Sequence, residues 1–346
     1  MSFVSTQGTR FSLNDRTTRF TGANSYYLGW ASQQMVDDTF ASAKALGIEV
    51  IRTWGFLDEL KEGVVYQTWE NNAPVYHEEG MKKLDYVVAK AKETGIKLIL
   101  PLVNNWKDLG GIPAYQSWLG LATPQQFYSD ARARQVYKDW CRTLVTRYKD
   151  DPTILAWELT NEARCDGDPA TLLRWVDDMS QYIKTLDPNH LVAVGDEGFF
   201  NRLWQSQQFY NGSHGSDFDQ FLQLEAIDFG TFHLYPWDQP NESFGSKWIE
   251  QHAHSGARWN KPVMLEEYGW TDKATRNDVY TKWLEKVREV DLAADLFWMF
   301  AVNDYYDDGF TFYPTTVPDV IREHIRWSAF RTATVRERAA QPPSLT

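Results

Sequence analysis

Two glutamates are placed where they could do chemistry together: Glu162, closing Trp157-Glu158-Leu159-Thr160-Asn161-Glu162, and Glu267, in Val263-Met264-Leu265-Glu266-Glu267-Tyr268-Gly269. Each ends an apolar run that reads as a buried parallel strand. Each carboxylate should therefore emerge at a strand's C-terminal end, the rim on which a (β/α)8 barrel carries its active site. Two carboxylates facing each other across such a mouth are what retaining glycoside hydrolysis requires, one as acid and base, the other as nucleophile, with the carboxyl groups about 5 to 5.5 Å apart. Glu162 must start the reaction protonated, so its pKa is expected to lie above that of Glu267, whose charge should help to raise it. This chemistry needs no metal or organic cofactor.

Other polar and aromatic residues gather at the same predicted strand ends. Arg52 and Trp54 end the second strand, Asn104, Asn105 and Trp106 the third, and Asn161 sits beside Glu162. His233 and Tyr235 end the sixth and share a strand face, and Trp298 lies in the eighth. Interior layers of a barrel are apolar, so these residues need another reason to be there. Asn161 could donate to a sugar 2-hydroxyl, Arg52 could keep a nucleophilic carboxylate ionised, and Tyr235 could donate to it. An isolated glutamate is more often a cap or an ion-pair partner, and an isolated histidine a satisfied core residue; it is the company that changes the reading. Adjacent Glu266 and Glu267 should point to opposite faces of their strand, so only one can enter the cleft. His252 and His254 lack the neighbours of a metal site and read as surface residues.

The elements that must position these groups follow in order. The predicted strands are 19–25, 49–54, 97–104, 154–161, 191–196, 229–236, 262–269 and 296–303, eight in all, alternating with amphipathic stretches in the manner of βα units. One such stretch, 80–94, repeats Leu84, Val87, Val88 and Ala91 on one helical face and stops at Gly95. Residues 10–13 and 18–21 flank Asn14-Asp15-Arg16, a hairpin that would plug the barrel floor. The fold class is α/β, a (β/α)8 barrel with a short N-terminal hairpin. Residues 1–346 are expected to form one domain, with the tail from 333 to 346 peripheral.

Composition narrows the partners. A net charge of -12 argues against nucleic acid, which demands a basic surface, and no apolar run is long enough for a membrane helix. The 16 Trp, 17 Tyr and 19 Phe are the stronger compositional signal: a large core must account for many of them, but sugar rings also stack on such side chains. Cys141 and Cys165 allow at most one disulfide, and the first ten residues lack the pattern of a signal peptide. No Gly-x-Ser-x-Gly elbow, phosphate-binding Gly-rich loop or His-Glu-x-x-His helix is present.

Several segments together resemble glycoside hydrolase family 5, and within it the endo-β-1,4-mannanases of fungal and plant type: Val50-Ile51-Arg52-Thr53-Trp54, Leu102-Val103-Asn104-Asn105-Trp106, Asn161-Glu162-Ala163-Arg164-Cys165, Gly195-Asp196-Glu197-Gly198-Phe199-Phe200, His233-Leu234-Tyr235-Pro236 and Leu265-Glu266-Glu267-Tyr268-Gly269. The resemblance implies Glu162 as acid/base and Glu267 as nucleophile, leaving Glu266 to pair with a helix or solvent. It implies Arg52, Asn161, His233, Tyr235 and Trp298 as their support, with Trp298 as a stacking floor. Trp106 and Arg164 would line the cleft, Arg164 on the leaving-group side, and Trp54, Asn104, Asn105, Glu197 and Trp237 would contact substrate. A β-mannan or a related glycan is the implied partner; the protein is expected to be a monomer that acts outside the cell, given the size of such a substrate, with a cytoplasmic location as the alternative. Ala163 departs from the proline many relatives carry, and the segment from Tyr235 to Asn241, in a loop that sets cleft length, also departs from the family pattern. An exo-β-mannosidase, a β-glucanase and a silent carbohydrate-binding barrel remain the alternatives.

Overall fold

Eight short apolar runs become eight parallel strands: β1 (Phe20–Asn24), β2 (Val50–Arg52), β3 (Lys97–Pro101), β4 (Ile154–Glu158), β5 (Leu191–Ala193), β6 (Gly230–Leu234), β7 (Val263–Tyr268) and β8 (Ala294–Phe297). The computed structural model describes residues 2–202, 205–235, 242–302 and 305–340. Every strand residue is buried, as a sheet covered on both faces demands. The ladder runs β5-β4-β3-β2-β1-β8-β7-β6, so chain neighbours are sheet neighbours throughout. The ring closes where Asp228 N–H donates to Val192 O at 2.8 Å and His233 N–H to Glu197 O at 3.2 Å, joining β6 to the β5 side. This is the expected (β/α)8 barrel.

Around it lie α1 (Gln33–Leu46), α2 (Glu78–Thr94), α3 (Ala131–Tyr148), α4 (Pro169–Leu186), α5 (Phe218–Gln223), α6 (Glu242–Trp259), α7 (Arg276–Glu289) and α8 (Asp319–Ala340). Local chemistry sets their ends. Ser32 accepts from Met35 N–H at the start of α1, Asp168 from Thr171 N–H at the start of α4, and Gly95 closes α2 in the left-handed conformation, φ 82°. Leu84, Val87, Val88 and Ala91 face inward from α2 as their spacing predicted. The tail expected to be peripheral is helical as far as Ala340, and 341–346 lie outside the described residues.

The floor is a three-stranded antiparallel sheet of Val4–Gln7, Arg10–Leu13 and Arg16–Thr18, one strand more than the expected hairpin. Its turn is two residues, Asn14 and Asp15, both at positive φ, the geometry that matches strand twist. Phe11 points up from it, fully buried, with its ring 5.3 Å from Phe229 and 5.6 Å from Phe20. Val50, Ile99, Ala156, Ala193, Met264 and Leu296 fill the lower interior above. This apolar plug closes the bottom, and the cavity lies at the other end. A second hairpin, Gln67–Glu70 with Ala73–Tyr76, lies between β2 and α2. Its turn, Asn71-Asn72, again has positive φ at both positions, a signal the sequence reading passed over. Cys141 and Cys165 are both buried and unbridged. Among the described residues no helix is long and apolar enough to cross a membrane.

Candidate active site

The chain beyond β4 turns sharply at the rim. Asn161 N–H donates to Val103 O and Glu162 N–H to Gly195 O, at 2.8 and 2.7 Å, and Glu162 adopts φ 53°. Such a backbone is unfavourable for a side-chain-bearing residue and here aims Glu162 over the barrel mouth. Close packing beneath needs glycine at Gly195 (φ 84°), where a Cβ would meet Thr160 O at 2.5 Å. Opposite, Glu267 stands near the end of β7. One oxygen of Glu162, one of Glu267 and a ring nitrogen of His233 all lie within 4.8 Å of one another. That approach falls on the side of the retaining separation, about 5 to 5.5 Å, well short of the roughly 6.5 to 9.5 Å of inverting pairs.

Arg52 lies at the centre of the supporting network, fully buried at the end of β2. Its Nη1 donates to Glu267 Oε1 at 2.6 Å and to Asn24 Oδ1 at 3.3 Å, its Nη2 to Asn161 Oδ1 at 2.8 Å, and its Nε to Glu158 Oε2 at 2.9 Å. Tyr235 donates to the other Glu267 oxygen at 2.9 Å. Asn161 spends one amide hydrogen on Asn104 Oδ1, at 3.0 Å, and Asn104 Oδ1 also receives Trp106 N–H. Glu162 takes a hydrogen bond from Trp106 Nε1 at 2.5 Å and one from His233 Nδ1 at 2.7 Å.

Glu266 departs from the expectation that it would face a helix or solvent. It is fully buried inside the barrel, 3.5 Å from Arg52 Nε and 3.2 Å from His233 Nε2. The physical reason is a bulge: Phe232 pairs with Leu265 and His233 with Glu267, so Glu266 is the extra residue and strict alternation fails there. His252 departs too. It is buried on α6, its ring stacked on Phe232 at 4.1 Å and its nitrogens against Trp248 O and Gly198 O, whereas His254 is exposed.

The order of proton affinities is also the reverse of that expected. Burial opposes a charge on His233, but the carboxylates around it, Glu267 foremost, hold its pKa well above the ordinary value. Burial likewise pushes Glu162 up, yet the His233 hydrogen bond and charge prevail and leave it lowered. Glu267 is raised, chiefly by burial, with the charge of Glu162 adding to it against His233 and Arg52. These directions favour a proton on His233, between the two glutamates, over one on Glu162. Protein donors already engage both carboxylates: Trp106 and His233 donate to Glu162, and Arg52 and Tyr235 to Glu267.

The cleft above measures about 840 Å3. Trp54, Asn104, Trp106, Asn161, Glu162, Arg164, Glu197, His233, Tyr235, Glu267 and Trp298 all line it. Arg52 lies beneath its surface. Asn105 does not reach the cavity; its backbone N–H ties the β3 rim to Asn161 O. Trp237 lies outside the described residues. Trp298 is the first residue past β8 rather than within it, stacked on Tyr26 at 5.4 Å and donating Nε1–H to Asp308. On the other side Arg164 grips Glu197 through two bonds of 2.6 and 2.7 Å and packs its guanidinium 5.0 Å from the Trp106 ring and 5.2 Å from that of Phe199. Burial, joined by the charge of Glu162, pushes Glu197 upward against that grip. The sequence reading missed Tyr26, Trp30, Tyr305 and Tyr306 at one end of the cleft and Phe209 and His214 at the other. Tyr26 follows β1 by two residues, the same strand-end signal that identified the rest.

Comparison with known proteins agrees with this geometry. The family model described as GH family 5 beta-mannosidase-like matches residues 1–293. A probable mannan endo-1,4-beta-mannosidase C from Aspergillus terreus is 37% identical over 90% of this chain and 87% of its own, and mannan endo-1,4-beta-mannosidase A from Podospora anserina is 36% identical over 92% and 89%. The crystal structure of the endo-1,4-beta-mannanase from Rhizomucor miehei superimposes with a TM-score of 0.91 at 38% identity, covering 95% of this chain and all of that one. A glycoside hydrolase family 5 mannosidase, also from Rhizomucor miehei, is 18% identical with a TM-score of 0.78, a likeness of fold alone. The chain belongs to glycoside hydrolase family 5, among its beta-mannosidase-like members.

Proposed function

We propose that this protein is a retaining endo-β-1,4-mannanase in which Glu162 is the acid/base and Glu267 the nucleophile. The observation that carries the reading is the pair of carboxyl groups with oxygens less than 4.8 Å apart across the rim, in a chain whose full-length relatives are endo-acting mannanases. Glu267 attacks the anomeric carbon while Glu162 protonates the departing glycosidic oxygen; water activated by Glu162 then resolves the glycosyl-enzyme with retained configuration. Arg52 and Tyr235 each hold one oxygen of Glu267, leaving the carboxylate oriented and ionised for attack. The proton Glu162 must deliver stands on His233 Nδ1, 2.7 Å away, and passes along that hydrogen bond when substrate replaces water around the pair.

The aromatic walls fit a polysaccharide. Trp298 and Trp54 form one side of the cleft, Trp106 with Arg164 and Glu197 the leaving-group side, and Asn161 keeps an amide hydrogen for the sugar 2-hydroxyl. The lining reaches from Tyr26 and Tyr306 past the carboxyl pair to Phe209, an extent that suits cleavage within a chain. We read the enzyme as one catalytic barrel over 1–346, monomeric, binding neither nucleic acid nor membrane, and acting outside the cell because mannan is too large to enter.

Purified protein incubated with mannohexaose and, in parallel, cellohexaose tests this, with Glu267→Ala as the blank. Mannobiose and mannotriose should appear from the parent only. Stepwise release of mannose alone would mean exo action, faster cleavage of cellohexaose would move the substrate to glucan, and binding of both without cleavage would leave a silent barrel.

A further inference from the structure

Beneath the candidate nucleophile lie two carboxyl groups to which the reaction assigns no task. Glu158 ends β4 and Glu266 is the bulged residue of β7; both are fully buried, and they stand within hydrogen-bond reach of each other. Both face the same Arg52 Nε, Glu158 at 2.9 Å and Glu266 at 3.5 Å. Each has one oxygen, Oε1, wholly buried with no partner among the described residues. Around Arg52 and His233 stand Glu158, Glu162, Glu266 and Glu267, four carboxyl groups for two cations. Two adjacent buried carboxylates cannot both stay ionised at modest cost, and a proton between them supplies the donor that a set of acceptors lacks.

Geometry chooses which carries it. Glu266 touches both cations, through Arg52 Nε and His233 Nε2 at 3.2 Å, whereas Glu158 touches only Arg52. We propose that Glu158 is a positioning residue that works as a neutral acid: its proton bridges to Glu266, and this acid–carboxylate pair holds the Nε edge of Arg52, fixing where Nη1 meets Glu267 and Nη2 meets Asn161. The electrostatics run the same way. Burial raises Glu158 well above the carboxylate range, while Arg52, then the hydrogen bond with Glu158 and then His233 overcome the effect of burial on Glu266 and draw it down to about 2. The other ionisable groups facing the pair are Glu267 from β7, Glu162 beyond β4, and Asp196 beyond β5, which burial pushes up to about 7. A guanidinium has its donors in one rigid plane, so an error at Nε is passed directly to Nη1 and Nη2.

The test compares Glu158→Gln with Glu158→Ala. Its kinetic arm rests on the mannanase reading; its spectroscopic arm does not. Glutamine keeps an uncharged group at Nε, so Glu158→Gln should lower kcat on mannohexaose by only about three- to tenfold and leave both limbs of the pH profile in place. Glu158→Ala should lower kcat about a hundredfold with KM nearly unchanged. Carboxyl 13C NMR of glutamate-labelled parent should show a resonance that stays at the protonated position from about pH 5 to 8 and vanishes in Glu158→Gln. If that variant does not fold, the Glu197→Gln, Glu267→Gln double variant, which removes two other glutamates pushed upward, must still show the resonance. Its absence, or a loss in Glu158→Gln as large as in Glu158→Ala, would overturn the proposal.

Discussion

Replacing Tyr235 by phenylalanine removes a single hydroxyl from the site and should move one limb of the pH profile. The Tyr235 hydroxyl donates to Glu267 Oε2 at 2.9 Å; without it that oxygen keeps, among the described residues, only His233 Nδ1, at 3.6 Å. A hydrogen bond to an ionised group contributes about 1.5 to 3 kcal/mol. One pKa unit corresponds to about 1.4 kcal/mol, so the lower figure alone raises the Glu267 pKa by about 1 unit. The direction follows from what the hydroxyl favours: it stabilises the carboxylate, so its loss favours the acid. Glu267 attacks only when ionised, and the acidic limb of kcat/KM reports its ionisation in the free enzyme. That limb, which in the parent should lie above the ordinary glutamate range because burial raises Glu267, should therefore shift about 1 unit higher in Tyr235→Phe. Near pH 5 the variant would be about tenfold less active than the parent, and the gap should narrow as pH rises. The assay is kcat/KM on mannohexaose in a constant-ionic-strength buffer series from about pH 3 to 9. An acidic limb that stays in place or moves lower would refute both the role of the hydroxyl and the assignment of that limb to Glu267.

Arg52→Lys keeps the charge but replaces a planar fork with a point donor, leaving Glu158, Asn24 or Asn161 without its partner in a dry site. At about 1 to 3 kcal/mol for each abandoned buried acceptor, kcat should fall at least a hundredfold and the urea midpoint should drop; full activity would mean the network is ornamental. Asp58, which burial pushes up to about 8, accepts from Gln67 Nε2 at 2.8 Å while its Oδ2 has no partner among the described residues. Because its folded pKa is raised, its contribution to stability is complete below about pH 4 and is lost as pH rises toward 8. Asp58→Asn, neutral throughout, should match the parent's melting temperature near pH 4 and exceed it by a few degrees at pH 8, as scanning calorimetry would read. Parallel decline of the two proteins would rule this out.

Much of the site was legible because barrel strands have a simple signature. An apolar run that stops at Asn161-Glu162 or Glu267 stops at the rim because the barrel strands are parallel and all their C-terminal ends face the same way. Where the reading failed, a rule of local periodicity met a tertiary exception. Alternation placed Glu266 on the far face, but the bulge opposite Phe232 and His233 turns it inward. His252 looked like a surface residue, but α6 lays it against Phe232. Tyr305 and Tyr306 follow β8 in loops with no regular pattern, and only the closed ring brings them beside Tyr26.

The sequence by itself determined the element order, the barrel and the pair of glutamates, because hydrophobic period, turn residues and strand length are properties of short segments. Tertiary structure alone decided the protonation order. Glu162 lies 71 residues before His233 and Arg52 lies 215 before Glu267, yet the pairs meet at 2.7 and 2.6 Å, with Arg52, His233 and Glu267 buried. Charge interactions depend on those distances and on burial, neither of which is written in any local run of residues.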